Sequence, residues 1–316
     1  MSNLKALTFK QLRALVSVAE YGTIAAAADS LSLSSPAVHS QLKILEENFG
    51  TPLLDRDVSG QFHATQEGRI LIDAFEKAWG SLSRAAEDIE AVRRGAAGRV
   101  ALGVVSTGKY FAPGIVARLK AMHSEIEIRL IVGNRNEIIE GLEAERIDIA
   151  VMGRPPRQPD VTAEPLGPHP HVLIAKPDHP LVGAGKVSKA DILGQHFIMR
   201  EEGSGTRILA MRFLDRLGQG KVYDFTEMGS NETIKQSVIA GLGVALLSAH
   251  TVIDELRAGR LALIRAGGLP IMRHWFVLHR SDLRLTGAMQ TVWNEIRNHA
   301  VDMIRSEEVS EMVSDH

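Results

Sequence analysis

Apolar residues at helical spacing open the chain. Within residues 7–20, Leu12 and Leu15 fall on one face of a helix, and Gly22 follows where such a helix would stop. An alanine-rich stretch over residues 24–31 repeats the pattern, and its small side chains let another helix approach closely. The pattern therefore predicts two short helices packed against each other.

A third helical pattern follows after a turn of three or four residues. Either Ser34 or Ser35 is placed to cap it, Pro36 stands at its first position, where proline is tolerated, and the pattern runs to Phe49 and stops at Gly50. Two short helices joined by a tight turn have the dimensions of a helix-turn-helix motif.

The exposed face of this third helix would present groups that can contact bases and phosphates in a DNA major groove, namely Ser35, His39, Ser40 and Lys43. The alternative is a plain three-helix bundle with a solvated polar face, and the spacing alone leaves both interpretations open. Residues 51–65 look extended, with Gly60 at the tip of a hairpin, which predicts a wing.

A heptad stripe runs along residues 66–94, which we predict to form one long helix. Its members recur at alternating steps of four and three residues: Leu71, Phe75, Ala78, Leu82, Ala85, Ile89 and Val92. A single helix with such a stripe needs a partner, so we predict a homodimer. The alternative is packing of the stripe on its own domain. Residues 94–98, rich in glycine and alanine, are the natural hinge into a second domain.

Strand-like and helix-like runs alternate from residue 99 onward. The strand-like runs are 100–105, 126–132, 147–152, 172–175, 197–199, 244–248 and 275–279, and the helical runs are 111–122, 136–145, 208–217, 232–240 and 285–299. This alternation predicts an α/β domain with a mostly parallel sheet. Residues 301–316 are polar and are expected to fray.

Three segments of this second domain share one design, in which a strand leads through a short polar loop into a helix. They span residues 105–109, 200–207 and 228–233. Helix N-termini bind anions, and in open α/β sheets such loops gather where ligands bind. Lys109, Arg135, Arg154 and Arg207 lie beside these or equivalent strand ends and could clamp a carboxylate or phosphate. Each loop alone would be an ordinary helix cap, but together they favour a site for a small anion, with phosphorylated ones among the candidates.

Composition narrows the function classes. The 316 residues exceed one typical domain, and the absence of cysteine excludes disulfides and thiolate chemistry. The first 63 residues hold five Lys or Arg against six Asp or Glu, so a strong basic footprint for DNA is missing. Phosphate contacts would have to come from a few cations, hydroxyls and helix N-termini.

Motifs of enzymes and metal sites are also missing. Gly241 and Gly243 follow a helix and precede a strand, the wrong order for a dinucleotide fold, and His169, His171 and His179 lack metal-ligand spacing. We expect no enzyme activity, no metal and no resident cofactor. No secretion signal or membrane span is evident, so the expected location is the cytoplasm, and a secreted solute-binding protein remains a remote alternative.

The chain resembles the LysR-type transcriptional regulators from about residue 7 to 300. The matching positions are Ala26, Ala27, Ala28, Leu31, Ser34, Pro36, Ala37, Val38, Gln41, Leu45, Glu46, Gly50, Thr51, Pro52, Leu53, Arg56, Thr65, Glu67 and Gly68. Ser35 replaces the family's frequent glutamine, and His39 replaces its usual serine, which points to an unusual base preference.

The resemblance implies an N-terminal all-α winged helix-turn-helix at 1–65 and a linker helix at 66–95. A sensor domain at 99–300 would follow, similar to periplasmic solute-binding proteins. Its two α/β subdomains would span about 99–170 with 275–300, and about 171–274, with the effector in the cleft between them. A polar tail at 301–316 would end the chain. Sensor domains of neighbouring dimers would join them into a tetramer.

Residue roles follow from the loops and the resemblance together. We expect DNA contacts from Ser34, Ser35, Pro36, His39, Ser40, Gln41, Lys43 and Arg56. Effector contacts are expected from Ser106, Thr107, Lys109, Asn134, Arg135, Arg154, Glu201, Ser204, Thr206, Arg207 and Asn231. Dimer contacts are expected from Leu71, Phe75, Ala78, Leu82 and Ile89.

A narrower resemblance links segments 104–119, 151–156, 200–207, 228–248 and 272–280 to the subfamily that controls Calvin-cycle carbon-fixation operons. Members of that subfamily respond to phosphorylated metabolites or to NADPH. The expected function is therefore control of carbon-fixation genes by a small anionic, phosphorylated effector. The alternative is a LysR-type regulator of another operon that senses an unphosphorylated carboxylate.

Overall fold

The computed structural model describes residues 6–93, 97–218, 223–304 and 306–315, arranged in two compact units that meet in sequence between Ser83 and Arg84. The N-terminal unit contains α1 (Phe9–Tyr21), α2 (Ile24–Leu31) and α3 (Ser35–Phe49). The first three residues of the predicted hinge, 94–96, lie outside the described residues.

Local capping sets the bounds of these helices. The Thr8 hydroxyl oxygen accepts a hydrogen bond from the Gln11 backbone N–H, and the Thr8 backbone N–H donates one to the Gln11 side-chain oxygen, which closes a capping box at the start of α1. Gly22 and Gly50 end α1 and α3 in the left-handed conformation. Ser34 precedes α3 without a side-chain cap.

The core of this unit follows the predicted apolar pattern. Leu15, Val18, Ala27, Val38 and Leu45 are fully buried among the three helices. Ala27 of α2 has no side chain beyond Cβ, which allows the close approach of neighbouring helices that the sequence predicts.

A β-hairpin follows α3, as the sequence predicts. Strand β1 (Leu54–Arg56) pairs antiparallel with β2 (Phe62–Ala64), and Gly60 in the connection has a positive φ of 83°. The guanidinium of Arg56 lies 4.4 Å from the centre of the Phe62 ring. The hairpin is the predicted wing.

Helix α4 (Gln66–Arg93) starts close to the hairpin. A Cβ at Gly68 would come within 2.0 Å of the Leu53 carbonyl oxygen, so only glycine lets the helix pass at this point. The Thr65 hydroxyl accepts a hydrogen bond from the Gly68 N–H and holds the same turn.

The heptad stripe of α4 divides between two environments. Phe75 is buried and Leu71 is half-buried, and both pack on the core of the N-terminal unit. Leu82, Ile89 and Val92 are instead 54%, 63% and 68% exposed. The first two members of the stripe therefore follow the alternative of packing on their own domain, because the start of α4 passes over the helix bundle. The dimer contacts of the stripe remain a prediction.

The second unit contains two groups of strands. The first is a five-stranded sheet in the order β4-β3-β5-β12-β6. Its strands are β3 (Gly98–Val105), β4 (Ile126–Gly133), β5 (Ile149–Met152), β6 (Val161–Pro168) and β12 (His274–Arg280). Strand β3 runs parallel to β4 and β5, whereas β12 runs antiparallel to β5 and β6.

The second group is smaller and also mixed. Its strands are β7 (His171–Ala175), β8 (Phe197–Arg200), β9 (Phe225–Met228), β10 (Ala245–Ser248) and β11 (Ala262–Leu263). Strands β10 and β11 pair antiparallel with β7, and β8 pairs parallel with β9. The prediction of a mostly parallel sheet is therefore wrong. Strand β6 leads directly into β7 with no crossover helix, and β12 returns to the first sheet as an antiparallel strand.

Helices flank both groups of strands. They are α5 (Ala112–Met122), α6 (Arg135–Glu143), α7 (Lys189–Leu193), α8 (Gly205–Gly218), α9 (Asn231–Ile239), α10 (Ala249–Arg257), α11 (Gly287–Ile304) and α12 (Ser306–Asp315). Within the described residues, no helix is both long enough and apolar enough to cross a membrane.

The expected frayed tail is instead helical. In α12, Val309 and Val313 are 5% and 2% exposed and pack on the core of the second strand group. Glu308 accepts a hydrogen bond from Arg257 of α10. The four-residue spacing of the two valines gives this polar segment a narrow apolar face, which is why it folds against the domain.

Candidate functional site

A cleft of about 500 Å³ opens in the second unit beside two of the three predicted loops. Ser106 and Thr107 line it from the 3-10 turn that follows β3, and Ser204, Gly205 and Thr206 line it from the start of α8. The hydroxyl-bearing Thr107, Ser204 and Thr206 are 5%, 2% and 6% exposed. Buried hydroxyls beside a helix N-terminus suit the oxygens of an anion.

Five arginines contribute to the same cleft: Arg135, Arg154, Arg157, Arg212 and Arg273. No carboxylate of the described residues lies within ion-pair distance of any of them. The pKa of Arg135 is lowered, first by burial and then by the charges of Arg154 and Arg212. The cleft therefore carries a positive potential that the protein itself does not neutralise.

The Arg135 side chain also shapes the cleft. Its guanidinium donates hydrogen bonds to the carbonyl oxygens of Arg154, at 2.6 Å, and Pro155, at 3.4 Å. These bonds hold the loop after β5, which supplies Arg157 and Gln158 to the lining.

Two neutral histidines lie deep in the cleft. His169 is 3% exposed, stacks on Trp275 at 3.7 Å between ring centres, and has Nε2 2.9 Å from the Ser248 hydroxyl. His171 is 5% exposed, and burial lowers its pKa to about 3, against a weaker opposing hydrogen bond to the His169 carbonyl. Burial also holds the pKa of His169 well below its usual range. Both rings are therefore uncharged near pH 7.

The structure brings together six of the eleven predicted effector residues. Ser106, Thr107, Arg135, Arg154, Ser204 and Thr206 line the cleft, whereas Lys109, Asn134, Glu201, Arg207 and Asn231 do not. The effector-binding roles of all eleven residues remain predictions.

The five residues outside the lining have structural partners. Lys109 Nζ lies 3.5 Å from the Glu232 carboxylate, and Arg207 hydrogen-bonds Glu227. Asn134 caps α6 by accepting a hydrogen bond from the Glu137 N–H. Glu201 and Asn231 both bind the side chain of Arg200.

Arg200 is the most connected residue that sequence analysis missed. It is 3% exposed, and its guanidinium donates to the Ser106 hydroxyl at 3.0 Å and to the Asn231 side-chain oxygen at 2.6 Å. It thereby ties the three predicted loops together, with Glu201 as its carboxylate partner at 2.6 Å. An arginine that ends a buried strand and precedes two glutamates is the signal that could have identified it.

Arg157, Arg212, Arg273, His169 and His171 were also missed as cleft residues. In the sequence the two histidines were considered only as metal ligands, for which their spacing does not fit. No local pattern indicates that three arginines distant in sequence meet in one cleft.

The predicted DNA-binding residues lie on α3 and the wing. Ser34, Ser35, Pro36, His39, Ser40, Lys43 and Arg56 are exposed, and Gln41 is half-buried. Val38, Leu42 and Leu45 point into the core instead. Helix α3 therefore has one core face and one polar face free for a partner.

A winged helix-turn-helix joined in sequence to an α/β domain with two groups of strands and a cationic cleft defines a transcriptional regulator with a small-molecule sensor. Residues 9–69 match the bacterial regulatory helix-turn-helix proteins of the lysR family, and residues 93–301 match the LysR substrate binding domain. The chain belongs to the LysR family.

Known proteins similar to this chain are regulators. The HTH-type transcriptional regulator CbbR of Cereibacter sphaeroides is 52% identical over 297 residues, covering 94% of this chain and 96% of that protein. The RuBisCO operon transcriptional regulator of Allochromatium vinosum is 37% identical over 282 residues, covering 89% and 93%. These names agree with the expectation of a regulator rather than an enzyme.

Among solved structures, the CcmR regulatory domain of Synechocystis PCC6803 in complex with 2-PG is similar to this chain. The two share 31% sequence identity with a TM-score of 0.60, over 65% of this chain and 98% of that one.

Proposed function

We propose that this protein binds DNA and regulates carbon-fixation genes in response to a phosphorylated metabolite bound in the arginine-lined cleft. The observation that carries the proposal is the set of five arginines that line about 500 Å³ with no carboxylate partner among the described residues. The similarity to CbbR and to a RuBisCO operon regulator supports the choice of target genes. The 2-PG complex of CcmR supports a phosphorylated ligand.

The charge of the cleft favours a phosphate over a simple carboxylate. A phosphate monoester carries close to two negative charges near neutral pH, and guanidinium groups bind its oxygens through paired hydrogen bonds. A single carboxylate would leave most of the five arginines unneutralised in a partly closed site. An unphosphorylated acid that controls another operon is therefore the weaker candidate.

The DNA contacts in this proposal come from α3 and the wing. Lys43 and Arg56 supply charge, and His39 and Ser40 reach base edges from the exposed face of α3. Two copies of the chain associate through exposed apolar residues of α4 such as Leu82 and Ile89, and present two recognition helices to a pseudo-palindromic site. DNA as the partner favours the cytoplasm as the working location.

The effector acts by changing the balance between two conformations. It can do so only by the difference between its affinities for the two states, so the ligand must contact both sides of the cleft differently when the cleft opens or closes. Ser106 on one side and Thr206 on the other are placed for such contacts.

A binding experiment tests the proposal. DNA from upstream of carbon-fixation genes is labelled, and its affinity for the protein is measured with 2-phosphoglycolate, 3-phosphoglycerate or ribulose 1,5-bisphosphate, and with glycolate and glycerate as unphosphorylated controls. We expect only the phosphorylated compounds to change the complex. A response to the unphosphorylated acids alone would favour the alternative regulator.

One pair of variants on helix α8 sharpens the test. Arg212 lines the cleft, whereas Arg216, one turn later, is exposed and lies outside it. Arg212→Ala should lower the affinity for the phosphorylated ligand about tenfold, because a charge-assisted hydrogen bond contributes about 1.5 kcal/mol. Arg216→Ala should leave this affinity unchanged. Equal effects of the two variants would argue against the cleft.

A further inference from the structure

The end of helix α4, residues 84–93, belongs to the second unit of the molecule. One face of this segment is covered, and its members recur at helical spacing: Arg84, Glu87, Asp88 and Ala91. Ala91 is fully buried, whereas the apolar Ile89 and Val92 on the other side of the helix are exposed. The covered face is therefore the side by which the helix end is attached to the sensor domain.

Arg84 joins the helix to the start of β5. Its Nε lies 3.3 Å from Oδ1 of Asp148, the residue before β5, and its guanidinium also hydrogen-bonds the backbone carbonyl oxygen of Glu145. Asp148 is 1% exposed, and its second oxygen accepts a hydrogen bond from the Ala101 N–H of β3 at 2.7 Å. Because a buried carboxylate needs such partners, this contact fixes the helix to two neighbouring strands.

Glu87 makes a second contact with the sheet. Its carboxylate lies 2.5 Å from Nη2 of Arg99 on β3 and 3.1 Å from Nη1 of Arg129 on β4. The Arg99 side chain is 7% exposed, so its charge depends on a partner from the helix. Arg84 and Glu87 are three residues apart, and the helix is thus held at two points about one turn apart.

The strands that hold the helix end at the cleft. Strand β3 contains Arg99 near its start, and Ser106 follows its last residue. Strand β5 follows Asp148, and Gly153 and Arg154 come directly after it. Ser106, Gly153 and Arg154 all line the cleft. Strands β3 and β5 pair with each other, and the four residues of β5 span about 13 Å, so the helix contact and the cleft lie at opposite ends of the same paired strands.

We propose that Arg84 fastens the end of α4 to the sensor domain and so transmits the state of the cleft to this helix. The inference rests on the proposed function and names the contact through which the bound metabolite acts. When the cleft closes, the strands that carry Ser106 and Arg154 move relative to the second strand group, and the fastened helix moves with them. Without the contact the same ligand binds, but the helix no longer follows the strands. Arg84 is therefore a positioning residue that does not touch the ligand.

A double variant removes the contact without leaving a buried charge behind. Arg84→Met keeps an apolar stem, and Asp148→Asn keeps a side-chain oxygen that can accept from the Ala101 N–H. Arg93→Met is the matched control, because Arg93 is an exposed residue of the same helix whose ion pair is with Glu90 in the preceding turn. Light scattering should give the same mass for all three proteins, since none of these residues belongs to the apolar stripe.

Three affinities of the full-length protein test the transmission. They are the affinity for labelled carbon-fixation promoter DNA, the affinity for 2-phosphoglycolate, and the affinity for the DNA with 2-phosphoglycolate at saturation; a phosphorylated compound that changes the wild-type complex replaces 2-phosphoglycolate if the latter does not. In the wild type and in Arg93→Met the ligand should change the DNA affinity about tenfold. In the double variant this ratio should fall below about twofold, while the two separate affinities change by less than about twofold.

Hydrogen exchange reports the attachment itself. The amides of residues 84–93 should exchange faster in the double variant than in the wild type, and Arg93→Met should not show this change. Glu87→Gln weakens the second contact and replaces the double variant if that protein melts early. It should reduce the ligand-dependent ratio to about threefold.

The outcomes separate this inference from the proposed function. A wild-type ratio in the double variant, or equal exchange of residues 84–93 in the two proteins, would overturn the role of Arg84 while phosphate binding stands. A folded double variant that no longer binds the ligand would also overturn it, because Arg84 would then act on binding rather than on transmission. If no phosphorylated compound binds the wild type, the proposed function fails and the transmission fails with it.

Discussion

Buried histidines are the residues whose chemistry depends most on their surroundings. His171 and His250 are both buried, and burial lowers their pKa values to about 3 and about 4. His250 packs edge-on against the rings of Phe111 and Trp275. Neither ring can take up a proton at neutral pH without losing the environment that the fold provides.

We predict that acidification destabilises the second unit through these rings. In the unfolded chain an imidazole binds a proton below about pH 6.5, whereas in the folded chain it stays neutral, so the unfolded state binds more protons as the pH falls. The contribution of these neutral rings to the free energy of unfolding is fully present above pH 6.5 and is lost as the pH falls towards 4. From pH 7.5 to 5.5 each ring should lower the free energy of unfolding by about 1.4 kcal/mol.

Urea unfolding at the two pH values measures this loss. His250→Phe fits the aromatic surroundings and should reduce the loss by about one ring's share, that is, about 1.4 kcal/mol. His274→Ala, at an exposed position, should leave it unchanged. A pH dependence that is identical in wild type and His250→Phe would contradict the assignment.

Helix α4 shows how one stripe of apolar residues can serve two purposes. Its first members, Leu71 and Phe75, complete the N-terminal core, and the later members Leu82, Ile89 and Val92 remain exposed. Apolar side chains exposed in a row on one helix favour association with another copy.

Leu82→Glu should therefore break the dimer. A charge at the centre of a helix-helix interface would be buried without a partner, and the free energy that this costs exceeds what the apolar contacts of the interface contribute. Light scattering should show half the mass of the wild-type assembly, or a strongly raised dissociation constant. Lys77→Glu is the control with the same new charge on an exposed residue away from the stripe. An unchanged mass for Leu82→Glu would refute the seam.

Helix α12 is held to the domain by a narrow apolar contact. Val313→Ala removes two methyl groups from a position that is 2% exposed, and we expect the free energy of unfolding to fall by about 2 kcal/mol. Glu311→Ala changes an exposed residue of the same helix and should cost less than about 0.5 kcal/mol. Thermal unfolding followed by circular dichroism distinguishes the two, and equal melting temperatures would indicate that α12 does not pack as described.

The charge distribution of the whole molecule makes a prediction about DNA binding. The first 63 residues carry no excess of positive charge, and α3 and the wing offer Lys43 and Arg56 as exposed cations. With about two phosphate-contacting cations per subunit, the slope of log affinity against log salt for a dimer should be about −4.

Fluorescence anisotropy over a salt series measures that slope. Lys43→Ala should reduce its magnitude by about one for each bound subunit. Lys120→Ala, an exposed lysine on α5 of the second unit, should leave it unchanged. A slope near −10 in the wild type would mean that many more cations contact DNA than the N-terminal unit supplies.

Particular elements show why sequence analysis succeeded for some parts of the chain and failed for others. The N-terminal helices were predictable because Thr8, Gly22 and Gly50 fix their ends through contacts within a few residues. Strand β6 was missed because it is an edge strand that contains Pro165 and Gly167, which break the usual alternation.

The sequence by itself determined the helix-turn-helix, the wing, the long helix and the polar loops after β3 and β8. These features depend on capping, periodicity and short-range turn chemistry. Only the tertiary structure decided which cations share the cleft, how the α4 stripe divides, and that Arg200 joins three loops. Those features depend on contacts between residues far apart in the chain, as between Ser106 and Arg200, which no local pattern encodes.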